Sequence, residues 1–160
     1  YWNAGAEAAV STFRLGVANG AASLLIALTA PLLGTIADRS GRRVRLLMLA
    51  TVLGAAATGG LYLAGEGQWQ LAVALYLVAS FGFWSGITFN DALLLDVAES
   101  REELALISAY GYALGYVGGG LLFAVNVAMT LRPELFGLAS AAEAVRLSFL
   151  TVAVWWVVFA

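Results

Sequence analysis

Gly34-Thr35-Ile36-Ala37-Asp38-Arg39-Ser40-Gly41-Arg42-Arg43 is a charged hairpin set between two long segments that carry no charge. Upstream, Leu15 to Ala37 holds no charged side chain, and downstream Leu46 to Gly65 holds none either. Each run is long enough to cross the ~30 Å hydrocarbon core of a bilayer as a helix of about 20 residues. A short charged turn between two such runs identifies an all-α membrane protein. Barrel strands are excluded, because they would show apolar and polar residues alternating in segments of about ten.

Composition agrees. Hydrophobic residues make up 62% of the chain and charged residues 11%, against about 45–50% and about 25% in a soluble domain. Cysteine and histidine are absent, which excludes disulfides and thiolate metal sites, and any proton chemistry falls to carboxylates. No cofactor, metal or catalytic residue is expected. Lysine is absent too, so all eight basic residues are arginines, and a net charge of -2 offers no basic face to nucleic acid.

Apolar runs and their interruptions give five spans, about 13–37, 44–64, 71–97, 104–131 and 147–160. Gly65-Glu66-Gly67-Gln68-Trp69 reads as a tight turn with an interfacial aromatic. Glu99 to Glu103 is a short acidic connection, Arg132-Pro133-Glu134 ends the fourth span, and 134–146 reads as a polar, alanine-rich linker. The chain opens at Tyr1 and stops at Ala160 inside an apolar run. It is expected to be an excerpt, residues 1–160 forming one partial transmembrane bundle.

Orientation follows from arginine counts. Arg39, Arg42, Arg43 and Arg45, with Arg101, lie on one side; Arg14, Arg132 and Arg146 lie on the other. The cluster at 38–45 is expected to be cytoplasmic. Topology alone would account for these arginines. Their order goes further, since Gly34 and Gly41 permit close approach and a tight turn, Asp38 ends one helix, and Arg42 and Arg43 begin the next.

The pattern Gly34-x-x-x-Asp38-Arg39-x-Gly41-Arg42-Arg43 resembles the signature loop between the second and third helices of the major facilitator superfamily, and all six defining positions match. The resemblance implies that the five spans are helices two to six of an amino-terminal six-helix bundle. The partners implied are the first helix and the carboxy-terminal half of the same chain, the lipid bilayer and a small-molecule solute. It also implies a conformational latch in which Asp96, near the end of the third span, is the partner of Arg42. The Asp38 carboxylate can accept charge-assisted hydrogen bonds from arginine in the same latch.

In the fourth span, Gly111, Gly115 and Gly119 recur every four residues beside Gly120, leaving a stripe on which a neighbouring helix can pack closely. The spacing resembles a glycine element in the fifth helix of antiporters of the superfamily, with Tyr116 standing where that element has proline. The text Phe89-Asn90-Asp91-Ala92-Leu93-Leu94-Leu95-Asp96, followed by Ile107 to Gly120, resembles the vacuole-effluxer-like branch, whose fungal members are linked to amino-acid export from the vacuole.

Asp91 lies deeper than Asp96, where an ionisable group is costly in lipid and should face the bundle interior or a water-filled cavity. It is the best candidate for a proton- or substrate-linked carboxylate. Asn90, Trp84, Tyr112, Tyr116 and Asn126 could add polar or aromatic contacts to a central cavity, although packing between helices would explain the same aromatics. The function expected is secondary transport of a small solute, an amino acid by branch resemblance, through alternating access. Two readings remain open: a helical receptor or packing module without flux, and a membrane enzyme completed by a second half.

Overall fold

The computed structural model describes Trp2 and residues 6–159, with the backbone alone for Ser40. Five helices follow one another: α1 (Ala8–Ser40), α2 (Arg43–Gly60), α3 (Trp69–Val97), α4 (Arg101–Leu131) and α5 (Ala141–Phe159). Single 3-10 turns, Leu61–Leu63 and Pro133–Phe136, prolong α2 and follow α4. No strand occurs among the described residues, and all five helices are long and apolar enough to cross a membrane. With 33, 29 and 31 residues, α1, α3 and α4 exceed the about 20 needed for a crossing. Their surplus carries the charged ends.

The helices run further into the charged segments than hydropathy suggests. At 38–45 the only non-helical residues are Gly41 and Arg42. Gly41 sits at φ 58°, the left-handed conformation that closes α1 without a Cβ clash. The segment 134–146, read as a linker, is instead the 3-10 turn followed by the first turns of α5, which starts at Ala141. The cause is a local cap: the Glu143 amide donates to Ser140 Oγ at 3.2 Å, and Glu143 Oε2 accepts from the Ala139 amide at 2.7 Å. The same arrangement starts α4 at Arg101, with the Glu103 amide on Ser100 Oγ at 3.1 Å and the Glu99 amide on Glu103 Oε2 at 2.9 Å. Such serine–glutamate pairs satisfy amides that a helix start leaves without partners.

The core consists mostly of small side chains, with Leu61, Phe89 and Met129 as its larger members. Ala18, Ala22, Ala37, Ala50, Ala55, Ala57, Ala72 and Ala79 are buried, whereas many leucines, valines and aromatics are exposed. That inversion suits a bundle whose outside is lipid, where large apolar groups gain nothing by turning inward and close backbone approach holds the helices. α3 lies against both α1 and α2, which scarcely touch each other although two residues join them; α5 packs on α2 and α4. The tightest crossing is α2 on α3. A Cβ built on Gly82 would come within 2.7 Å of Gly54 Cα and 2.8 Å of the Ala50 carbonyl oxygen, so backbone meets backbone there. Trp156 of α5 covers Gly54 from its other side.

α4 is the least enclosed helix. Its glycine stripe is not used within the described bundle: a Cβ at Gly111, Gly115, Gly119 or Gly120 would meet nothing within 4 Å. The close packing expected there is found at Gly54 and Gly82 instead.

Candidate functional site

The hairpin brings three helix ends to one guanidinium. Arg43, the first residue of α2, forms an ion pair and hydrogen bond with Asp96 near the end of α3, and its NH2 lies 3.6 Å from Asp38 Oδ1 in the last turns of α1. Its Nε donates to the Ala37 carbonyl at 3.0 Å and NH1 to the Ala92 carbonyl at 3.4 Å. One planar fork therefore holds two carboxylates and two carbonyls, which the fixed donor geometry of arginine permits and a lysine could not match. The expected partner of Asp96 was Arg42. The residue that reaches Asp96 is Arg43, because Gly41 and Arg42 make the turn while Arg43 is the first to point back along the bundle from a helical position.

These charges run against their own helices. Aspartates sit near the carboxy-terminal ends of α1 and α3 and an arginine at the amino-terminal end of α2, each placed opposite to what the helix macrodipole favours. Local helix stability would not select this placement; the cross-helix pairing offsets it. Around the clamp an open cleft of about 620 Å³ is lined by Asp38, Arg42, Arg43, Arg45, Leu93 and Asp96. Gly34 lies on α1, with open space where its Cβ would be, and Arg39 is exposed in the last turn.

The residues read as cavity-forming are not gathered by the described helices. Asp91, Asn90 and Trp84 lie exposed on α3, and Tyr112 and Tyr116 are exposed on α4, the latter at 79%. Asn126 is half-buried and turns the other way, its Oδ1 accepting from Thr151 Oγ1 of α5 at 2.9 Å. It ties α4 to α5. Helices α3 and α4 meet only sparsely, so their polar faces look onto space the described chain does not fill.

At the opposite end, polar contacts that sequence reading missed hold the bundle. Arg146 of α5 donates through Nε and NH2 to the Tyr62 carbonyl at 3.1 and 2.8 Å and lies 4.9 Å from the Tyr62 ring centroid. The Arg14 guanidinium lies over the Trp69 ring at 4.3 Å, and Tyr76 of α3 bonds Asn19 of α1. The Gly54–Gly82 crossing did have a sequence signal. Ala50-x-x-x-Gly54-x-x-x-Thr58 and Gly82-x-x-x-Gly86 both carry small residues at helical spacing.

Five membrane-length helices with a charge clamp on the first hairpin define a polytopic membrane protein of the major facilitator type. The chain belongs to the vacuole effluxer Atg22-like family, whose family model matches residues 4–105 and 95–160. It is also similar to YxiO of Bacillus subtilis, described as an uncharacterised MFS-type transporter, with 33% identity over 156 residues. That match covers 97% of this chain and 36% of the relative, so the chain spans about a third of the relative's length. No solved structure matches it significantly.

Proposed function

We propose that the full-length protein is a secondary transporter that moves a small solute by alternating access, with the described helices serving as helices two to six of its amino-terminal bundle. The observation that carries this reading is the Arg43 clamp, which joins the ends of α1, α2 and α3 through groups that can separate without unfolding any helix. Such a contact has two discrete arrangements, made and broken, which is what a conformational latch requires. Membership of an effluxer-like family and similarity to an MFS-type transporter support the same reading.

The uncovered faces of α3 and α4 fit a cavity completed by the rest of the protein. There Asp91 is the proposed proton- or solute-linked carboxylate, with Asn90, Trp84, Tyr112 and Tyr116 beside it. The glycine stripe Gly111-Gly115-Gly119 is proposed to receive a helix from outside the described chain, and the hairpin is assigned to the cytoplasmic side of a bacterial membrane. Amino acids are the solute class proposed. Full-length protein in proteoliposomes tests this with a panel of labelled amino acids: flux that Asp38→Asn and Arg43→Gln impair, with normal insertion, is expected. Unchanged kinetics in both variants would remove the latch, and no amino-acid flux in the parent protein would remove the solute class.

A further inference from the structure

Helix α1 packs on α3 and is fastened at two places. In its first half, Ala18 and Ala22 are buried and Asn19 accepts a hydrogen bond from the Tyr76 hydroxyl. At its far end, Ala37 is buried in one cluster with Ala50 and Phe89, Leu33 packs against that cluster, and Asp38 shares the Arg43 guanidinium with Asp96. Between these anchors, residues 23–36 contribute no buried side chain to the described bundle. Pro31 lies in this stretch, and among the described residues it is the one proline inside an α-helix. We propose that α1 carries a hinge at Pro31, so that release of the Arg43 clamp lets residues 32–39 swing as one arm while the rest of α1 stays on α3.

The backbone is the first reason. Proline has no N–H, so the Ala27 carbonyl receives no helical bond from residue 31, and the ring crowds that same carbonyl. Threonine hydroxyls act on either side of the break. Thr29 Oγ1 donates to the Leu25 carbonyl at 2.8 Å, and Thr35 Oγ1 donates to the Pro31 carbonyl at 2.7 Å. Bonds of this kind to the preceding turn favour bending of a helix. Helix α3 runs alongside without a proline and is held to the backbone of α2 at Gly82, so it is the fixed member of the pair.

The seat of the arm is the second reason. The Asp38 carboxylate and the Ala37 carbonyl both meet Arg43, so one side chain holds the arm by two groups. The apolar part of the seat centres on an alanine, which has little surface to lose on leaving. Few residues need change conformation, because a hinge concentrates the movement at one weakened turn. Swinging draws Leu33 and Ala37 away from the cluster of Phe89, which directly precedes Asn90 and Asp91. Opening of the clamp is thereby passed to the stretch of α3 that carries the proposed coupling carboxylate.

The hinge rests on reading the clamp as a contact that opens, and its test needs no solute. Full-length protein in nanodiscs carries nitroxides in one of two pairs between α1 and α4, Ile36 with Leu106 beyond the hinge or Leu24 with Val117 before it; all four side chains are exposed. Pulsed electron-spin distances are read in each. Arg43→Gln is expected to shift the Ile36–Leu106 distance by about 3 Å, a bend of about 20° on an arm of about 8 Å, and to leave Leu24–Val117 in place. Adding Pro31→Ala, which returns an N–H to the Ala27 carbonyl, should abolish the shift. An unmoved first pair, an equal movement of both pairs, or the same shift with Pro31→Ala would each overturn the hinge. If Arg43→Gln does not fold, Asp96→Asn opens the clamp from α3 and is read against the same outcomes. Flux by the parent protein with an unmoved first pair would overturn the hinge alone; a shift that Pro31→Ala abolishes, in a parent without flux, would support the hinge and remove the transporter reading.

Discussion

Replacing Gly82 by alanine puts a methyl group where α3 meets the backbone of α2. Its carbon would start 2.7 Å from Gly54 Cα and 2.8 Å from the Ala50 carbonyl oxygen, whereas carbon atoms in contact sit about 3.5–4.0 Å apart. The two helices must therefore separate by about 0.8 Å at their crossing, and no side-chain rotation relieves the contact because the obstructing atoms are backbone. Overpacking of this kind costs about 1–3 kcal/mol. Alanine also favours a helix over glycine by up to about 1 kcal/mol, so the reference is Gly20→Ala in α1, which gains the same propensity and meets nothing within 4 Å. Reversible denaturation of full-length protein in mixed micelles should place Gly82→Ala about 1–3 kcal/mol below Gly20→Ala. Gly54→Ala should fall between them, since the nearest atom it meets belongs to the Trp156 side chain rather than to backbone, and Trp156→Leu should restore part of its loss. A difference between Gly82→Ala and Gly20→Ala smaller than about 0.5 kcal/mol, the ordinary scatter of surface changes, would refute the crossing.

Three further outcomes are expected. Arg43→Gln and Asp96→Asn should each slow transport by the full-length protein, and the double variant should be no slower than the worse single, because both break one contact; additive losses would separate them. Ser140→Ala removes the cap of α5 and should lower stability by about 1 kcal/mol, read by the same denaturation assay. A double-mutant cycle on Asn126→Leu and Thr151→Val should give a coupling of about 0.6 kcal/mol, the usual worth of an interhelical hydrogen bond in a membrane protein, and zero coupling would remove the α4–α5 tie.

The five helices were legible because charge and apolar length separate cleanly along this chain, and Gly41 and Pro133 mark two of the breaks. Helix ends were less legible. Hydropathy stops at the first charge, but Ser100–Glu103 and Ser140–Glu143 carry their helices out beyond the apolar runs. The clamp was legible in its residues and wrong in one pairing: spacing alone does not separate Arg42 from Arg43, because the choice depends on the left-handed turn at Gly41. The glycine stripe on α4 drew attention by its regularity, while the backbone crossing uses Gly54 and Gly82, two glycines on different helices that no single-helix pattern pairs. Spacing sets Asn126 with the tyrosines of its own helix, whereas its bond to Thr151, 25 residues away, turns it toward α5.

The two carboxylates held by Arg43 also differ in when they become available. Asp38 precedes it in the same hairpin, whereas Asp96 follows it by 53 residues. At about 5–20 residues per second that interval is roughly 3–10 s of synthesis. During this time α1 and α2 can enter the bilayer as a hairpin, with Asp38 as the carboxylate at hand for the arginine. The arrival of α3 then brings Asp96 to the other side of the same guanidinium, so the residue that joins three helices in the finished bundle begins as a contact internal to two. Chains stalled before and after residue 96, probed by cross-linking between positions 38 and 43, would record the exchange.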